Sequence, residues 1–529
     1  MGQLQLKDIY FGKIDGYNEY LEYGQELFKG LFFEFPNIDI NRLLNGSTYY
    51  IFGNKGTGKT MLLKYLESTV LETSATNFTE FIRFKKDINE DDRNQIKRAS
   101  LPTNSFEEII ESEIPTDSTV DCTLAWQVYL IKVIVLRIEK TEFGVFDRTD
   151  DNWKKLTTLI SAMYGTTEQN PIQKILPKMK RGNIELDIAK IAKTTIEFEW
   201  VDAKQGIVSF STLGKQIIDL YSSLIPLDNN IYVFVDELEL SFKQSKKYQR
   251  DVTLIRDLVF AIEYLCDLNR THLFNVYIIA AIRNEVYKSI SSKGTEINKT
   301  THDFGYTISW EQKGGNIKNH PLLQMLEKRI HYSEQIKGYN KTIDIWKDYF
   351  IPYVGNGKVD APNYVLDLTW YKPRDIIRLF TIMQFLKGNK NTIDQETFDT
   401  VTKQYSEESW REFEEVLTVK YPDAEVDGIK KALTGISLPF MIKDFVAQIE
   451  GKSEVFEEVD LLIKNNRKPA QILRDLYDIG VIGNYGGNSR FVFKGDDDID
   501  PLSPLTIHYP LIRFFKASIK AFEKNRYIK

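Results

Sequence analysis

Thr48-Tyr49-Tyr50-Ile51-Phe52 runs directly into Gly53-Asn54-Lys55-Gly56-Thr57-Gly58-Lys59-Thr60, and Met61–Ser68 continues with apolar residues at 62, 63 and 66. The turn signal Asn45-Gly46 stands before the first run, whose β-branched and aromatic residues predict a strand. The last run has the spacing of an amphipathic helix. Between them the residues satisfy G-x-x-x-x-G-K-[ST], and the order strand, glycine loop, helix gives that pattern its mechanism. Glycines let backbone N–H groups wrap around phosphate oxygens, and the helix N-terminus adds partial positive charge. Lys59 is expected to reach the β and γ phosphates and Thr60 to ligate Mg²⁺. Gly53, Asn54, Lys55, Gly56, Thr57, Gly58, Lys59, Thr60 and the adjoining Met61 are therefore the candidate contacts for ATP, with Mg²⁺ as cofactor and hydrolysis as the expected reaction.

Further strands are predicted at Phe78–Phe84, at Ile231–Val235, which ends in Asp236-Glu237, and at Val276–Ile282, which ends in Arg283-Asn284. Apolar runs without alternation suit parallel strands covered on both faces. Gln249–Asn269 carries apolar residues at 254, 255, 258, 262 and 265, a helical period that makes a β-α-β crossover with the strands around it. The expected fold class is thus α/β, a P-loop NTPase parallel sheet with added domains. Asp236 is placed to hold the Mg²⁺ hydration shell, and Glu237 to polarise the attacking water. Arg283 could sense the γ-phosphate from the adjacent strand end and Asn284 could position water there. Acidic pairs also end strands as solvated loops, and arginines there also serve as salt-bridge partners. Glu239 fits either description.

Thr60 and Asp236 are 176 residues apart, far more than one β-α-β unit consumes. A mostly helical insertion at about 88–205 is expected between them, with Gly165–Gly182 as loop. Within it Cys122–Lys140 is the most membrane-like stretch, but Lys132 and Arg137 interrupt it, so a buried helix is expected instead of a span. Residues 1–46 read as an N-terminal helical segment and 47–310 as the core. Residues 311–434 read as a helical lid, with Leu322–Ile330 and Asp375–Leu386 its clearest helices. Residues 435–529 begin with helices at Leu438–Ile449 and Pro469–Tyr477. Gly480, Gly483, Gly486-Gly487 and a strand at Phe491–Phe493 follow, the pattern of a winged helix-turn-helix.

The 529 residues allow roughly two to four domains, and 42% hydrophobic with 13% aromatic content is globular composition. A net charge of −6 argues against a chain-wide attraction to nucleic acid or anionic membrane. From 435 to 529 there are 14 Lys and Arg against 13 Asp and Glu, so DNA contact is possible only locally, through residues such as Lys516, Lys520, Lys524, Arg526 and Lys529. Cys122 and Cys266 have no metal or redox spacing and read as free thiols in a reducing cytosol. The five histidines have no ligand spacing, and the N-terminus has no signal-peptide pattern, so a cytoplasmic protein without a zinc site is expected. Asp496-Asp497-Asp498-Ile499-Asp500 lacks the glycine and glutamate of a calcium loop and reads as a solvated turn.

Taken together, Gly53–Thr60, Val235-Asp236-Glu237-Leu238, Ala280-Ala281-Ile282-Arg283-Asn284-Glu285, Ile308-Ser309-Trp310-Glu311 and Lys372-Pro373-Arg374-Asp375-Ile376-Ile377-Arg378-Leu379 resemble the bacterial P-loop ATPases of the Sll1717 type, close to the STAND and AAA+ ATPases. Leu476–Asn484 looks like their winged-helix ending. The resemblance spans about 40–515 and matches the insertion only loosely. In relatives the acidic motif often reads Asp-Asp-Leu-Asp, where this chain has Asp-Glu-Leu-Glu. The resemblance implies that Pro373 approaches the adenine and that Arg374 acts as a phosphate sensor carried by the lid, with Arg378 a weaker candidate. From the residues alone Pro373 could equally be a proline opening a helix. The resemblance also implies a homo-oligomer with an arginine finger, for which Arg256, Arg270 and Arg329 are available. The function expected is an ATPase switch controlling a partner effector protein in a bacterial anti-phage or other conflict system. Alternatives are an ATP-regulated DNA-binding protein and an ATP-gated scaffold without fast turnover.

Overall fold

A computed structural model describes residues 4–35, 37–99, 121–164, 179–180, 183–185, 207–240, 246–291, 297–312, 316–355, 357–486, 489–495 and 499–519. Strands β1 (Tyr50–Gly53), β2 (Phe78–Arg83), β3 (Ile231–Leu238), β4 (Val276–Arg283) and β5 (Gly305–Thr307) form one all-parallel sheet in the order β2-β3-β4-β1-β5. Successive side chains point to opposite faces, and both faces are covered. Ile51, Phe234, Ile279 and Ala281 enter one core, while Tyr50, Phe52, Val233, Val235, Ile278 and Ala280 enter another. That double burial is why these strands read as unbroken apolar runs.

Helix α1 (Gly16–Leu31) opens at Asp15, whose carboxylate accepts from the backbone of Tyr17 and Asn18. Helix α2 (Lys59–Thr73) follows β1, and its Leu62, Leu63 and Leu66 pack into the first core. Helix α3 (Lys246–Thr271) joins β3 to β4 and covers the second core with Leu254, Ile255, Leu258 and Ile262. The insertion backs that second face. Its Thr123–Glu139 helix is buried, with Trp126 donating to the Leu254 carbonyl at 2.9 Å. Beside the helices lie three very short antiparallel strands, Met179–Lys180, Asn183–Glu185 and Ile207–Ser209. Runs of two or three residues are too short to show a periodicity, so the sequence reading missed them. Apart from Met179–Lys180, the loop expected at 165–182 lies outside the described residues.

The first face carries α4 (Pro321–Ile336), α5 (Pro373–Lys387) and α6 (Gln395–Leu417), followed by Ile442–Ser453, Glu457–Lys464 and Pro469–Asp478. An antiparallel pair joins Ile482–Asn484 to Leu505–Ile507. The strand expected at Phe491–Phe493 is absent from the described residues. Val492–Lys494 is a single 3₁₀ turn, and Phe491 and Phe493 stack on one another and meet His508 edge-on. Backbone pairing reaches only Arg490, which bridges to Asn484, and packing against the His508 ring holds the aromatics that follow. The helix expected from Leu438 starts at Ile442, because Ser437–Leu438 pairs with Ser518–Ile519. Gly487, 496–498 and 520–529 lie outside the described residues, and with them most of the acidic run and all but Lys516 of the C-terminal cations singled out above. No helix among the described residues is long and apolar enough to cross a membrane.

Candidate functional site

The carboxyl ends of β1, β3 and β4 gather the residues that carry chemistry. Gly53 pairs with Arg283 across β1 and β4, and Arg83 with Asp236 across β2 and β3. The chain leaves β1 through Gly56 and Gly58, at φ 86° and 99°. Only glycine adopts such angles without strain. A Cβ on Gly56 would also lie 3.1 Å from that of Arg374, and one on Gly58 3.2 Å from the Phe35 ring. Gly58 then caps α2.

The loop is tied to itself and to its surroundings. Lys59 Nζ donates to the carbonyls of Gly53 at 2.7 Å and Asn54 at 2.9 Å. Burial pushes the Lys59 ammonium down to about 8, with Arg283 and Arg374 pushing the same way against Glu285 and Asp236. Thr57 Oγ1 donates to Asn54 O at 2.9 Å, and Trp310 Nε1 donates to Thr57 O at 2.9 Å. Asn284, read as a water-positioning residue, instead donates its amide to Asn54 Oδ1 at 2.9 Å and fastens the loop to the helix after β4. Lys55 forms an ion pair with Glu415 on α6.

Thr60 Oγ1 donates to Asp236 Oδ2 at 2.6 Å. Asp236 and Glu237 lie at the carboxyl end of β3, which runs to Leu238 with a register shift between Val235 and Leu238. At that irregularity Glu237 sits at φ 58°, a conformation that costs a non-glycine residue about 1–3 kcal/mol and that clusters at functional sites. Its Oε2 is buried without a hydrogen-bond partner among the described residues, and its Oε1 is 3.7 Å from Lys86 Nζ. Burial raises the Glu237 carboxyl, Asp236 adds to the rise and Lys86 opposes it. Burial also acts on Glu239, but there Arg283 and Lys85 outweigh it and the carboxyl is lowered. Arg283 lines the cleft and is also an ion-pair partner of Glu239 and of Glu285, the latter at 3.6 Å.

Pro373 opens α5, and Arg374 follows it in the first turn. The Arg374 backbone N–H meets Gly56 O at 3.4 Å, Nε donates to Ile14 O at 3.3 Å, and Nη1 donates to Glu412 Oε1 at 3.2 Å. Arg378 turns away from the cleft into a buried cluster with Glu412 and Asp375.

Lys55, Gly56, Gly58, Lys59, Thr60 and Met61 line one cleft of about 1070 Å³, open mouth included, together with Asp236, Glu237, Glu239, Arg283, Trp310, Pro373 and Arg374, whereas Gly53, Asn54, Thr57, Asn284 and Arg378 lie behind its lining. Its far wall holds residues that the sequence reading did not place at the site: Lys13–Tyr17 ahead of and within the first turn of α1, together with Phe32, Phe35, Met325 and the pair Glu19–Arg329. Glu19 and Arg329 are 1% and 2% exposed and meet at 2.9 Å. Arg329 was available as a finger reaching into a neighbouring subunit. In this fold it is buried in the chain's own cleft, and an alternating Leu-Leu-Gln-Met-Leu-Glu-Lys-Arg-Ile helix gives no sign of that. Arg256 is paired with Asp257, and the half-exposed Arg270 lies 3.5 Å from Asp267.

Residues 320–414 match the FunZ-associated C-terminal helical domain. That stretch runs from the residue capping α4 into α6, and so contains Arg329, Pro373, Arg374 and Glu412. No curated protein matches the chain.

Proposed function

We propose that the cleft binds Mg·ATP and hydrolyses it, and that the chain acts as a nucleotide-driven conformational switch related to the Sll1717-type, STAND and AAA+ ATPases. The observation that carries this reading is the 2.6 Å contact between Thr60 and Asp236, residues 176 apart in sequence. It sets a hydroxyl and a carboxylate side by side next to a buried lysine and a loop of left-handed glycines, the donor set that Mg²⁺ and a triphosphate require. Mg²⁺ held by Thr60 and Asp236 would neutralise charge on the terminal phosphates.

Lys59 exchanges its two carbonyl partners for phosphate oxygens, which fits an ammonium already stripped of water. Glu237, with one buried oxygen unpartnered among the described residues and its carboxyl raised by burial, accepts the proton of the attacking water. Arg374 and Arg283 stabilise charge on the transferred group. Pro373, Phe35 and Met325 give the apolar surface for the base. The three helices and antiparallel pair after residue 440 make a winged-helix-like domain. With its charges nearly balanced, that domain contacts a partner protein rather than DNA, and the resemblance supports a role in bacterial conflict, with a FunZ-associated domain as a second pointer. Equilibrium binding tests the first step: Mg·ATP binds wild type, and Lys59→Ala weakens it by about 10²-fold or more. Equal affinity for the two proteins would sink the reading.

A further inference from the structure

We propose that Glu412 is the positioning residue for Arg374, which holds the guanidinium of this lid-borne arginine at the mouth of the phosphate loop; the inference rests on the nucleotide reading above. Arg374 is anchored on two edges, through Nε to Ile14 O at 3.3 Å and through Nη1 to Glu412 Oε1 at 3.2 Å. Its stem lies against Gly56. A guanidinium offers five donors in a rigid plane, so two fixed edges set the direction of the remainder.

Glu412 does not depend on Arg374 for its own place. Arg378 grips its other oxygen, while Arg378 also reaches Ser409 at 3.4 Å and lies 3.8 Å from Asp375. The side chains of Glu412 and Arg378 are 10% and 7% exposed, that of Arg374 22%. A largely buried carboxylate held by Arg378 thus stands behind a more exposed arginine that lines the cleft. Burial would raise the Glu412 carboxyl, but Arg378 and Arg374 outweigh it and hold it at about 2, so the anchor is charged at neutral pH. Fixing the arginine before the substrate arrives removes reorganisation from the reaction step, which affects turnover more than binding.

The test is phosphate release from Mg·ATP by the full chain as wild type, Glu412→Gln, Glu412→Asp, Arg374→Ala and the Arg374→Ala/Glu412→Gln double variant. Glu412→Gln is expected to lower kcat by about 10- to 100-fold, the usual cost of losing a group that orients another, and to leave KM within about threefold. Glu412→Asp keeps the charge that Arg378 requires and moves it by one methylene, so it reports on position even if the glutamine variant is too unstable to assay; its expected loss in kcat is severalfold. In the Arg374→Ala background Glu412→Gln changes kcat by less than about twofold, because the two act as one unit. The same loss in both backgrounds, or full activity in Glu412→Gln or Glu412→Asp, overturns the role of Glu412 and leaves the nucleotide reading standing. A wild-type chain that neither binds nor hydrolyses Mg·ATP overturns both.

Discussion

Gly53–Thr60 supplies one wall of the cleft through Lys55, Gly56, Gly58, Lys59 and Thr60, close together in sequence, whereas the opposite wall draws Ile14 from ahead of α1, Trp310 from beyond β5, Arg329 from α4 and Arg374 from α5. The loop wall is shaped mostly by local bonds, with two left-handed glycines, Lys59 folded onto the carbonyls of Gly53 and Asn54, and Thr57 bonded to Asn54, and it is fastened to its surroundings by Trp310, Asn284 and the Lys55–Glu415 pair. The facing wall is held by ion pairs between distant segments, Glu19 with Arg329 and Arg374 with Glu412. A locally determined cradle keeps its shape when its surroundings shift. A wall pinned by a few charged pairs can open as a unit when a competing anion arrives. On the proposed nucleotide reading, phosphate binding and conformational response would fall to different walls.

The largest effect expected is on the facing wall. Glu19→Ala leaves Arg329 buried and unpaired and lowers stability by about 3–5 kcal/mol in urea unfolding. Replacing both partners by apolar residues costs much less, and equal losses for the single and double variants contradict a buried pair. Arg374→Ala comes next, with kcat down by about 100-fold and KM little changed. A change confined to KM would mean that this wall only binds. In the loop, Gly56→Ala forces a side chain into left-handed backbone beside Arg374 and costs about 1–2 kcal/mol, measured by the same unfolding. The smallest effect is one of pH. Lys59 is charged below its value of about 8 and loses its proton as pH rises through it. Affinity for the triphosphate therefore weakens between pH 7 and pH 9, by at most about tenfold. Affinity that tightens over that interval contradicts a lysine contact.

The two walls also differ in how far the sequence reveals them. The loop is legible because strand, glycines and helix are consecutive and each has a local signature. Asp236, Glu237 and Arg283 are legible because they end apolar runs, although the irregularity that sets Glu237 at φ 58° has no signature in the sequence. Ile14, Glu19 and Arg329 carry no motif, since only the packing of α1 against α4 makes them part of the cleft. Glu412 lies in an acidic stretch of α6, Ser-Glu-Glu-Ser-Trp-Arg-Glu-Phe-Glu-Glu, where nothing in the sequence separates the carboxylate that pairs with Arg374 and Arg378 from the other glutamates. Phe491–Phe493 misled for the converse reason: two aromatics at strand spacing also fit a turn packed on a buried histidine.

Phosphate release from Mg·ATP by the full chain, measured beside Lys59→Ala and Glu237→Gln, tests the central claim most directly. Wild type is expected to turn over, both variants to lose at least about 10²-fold in kcat, and Glu237→Gln still to bind ATP. Wild type that binds no Mg·ATP, or variants that release phosphate as fast as wild type, would contradict the account.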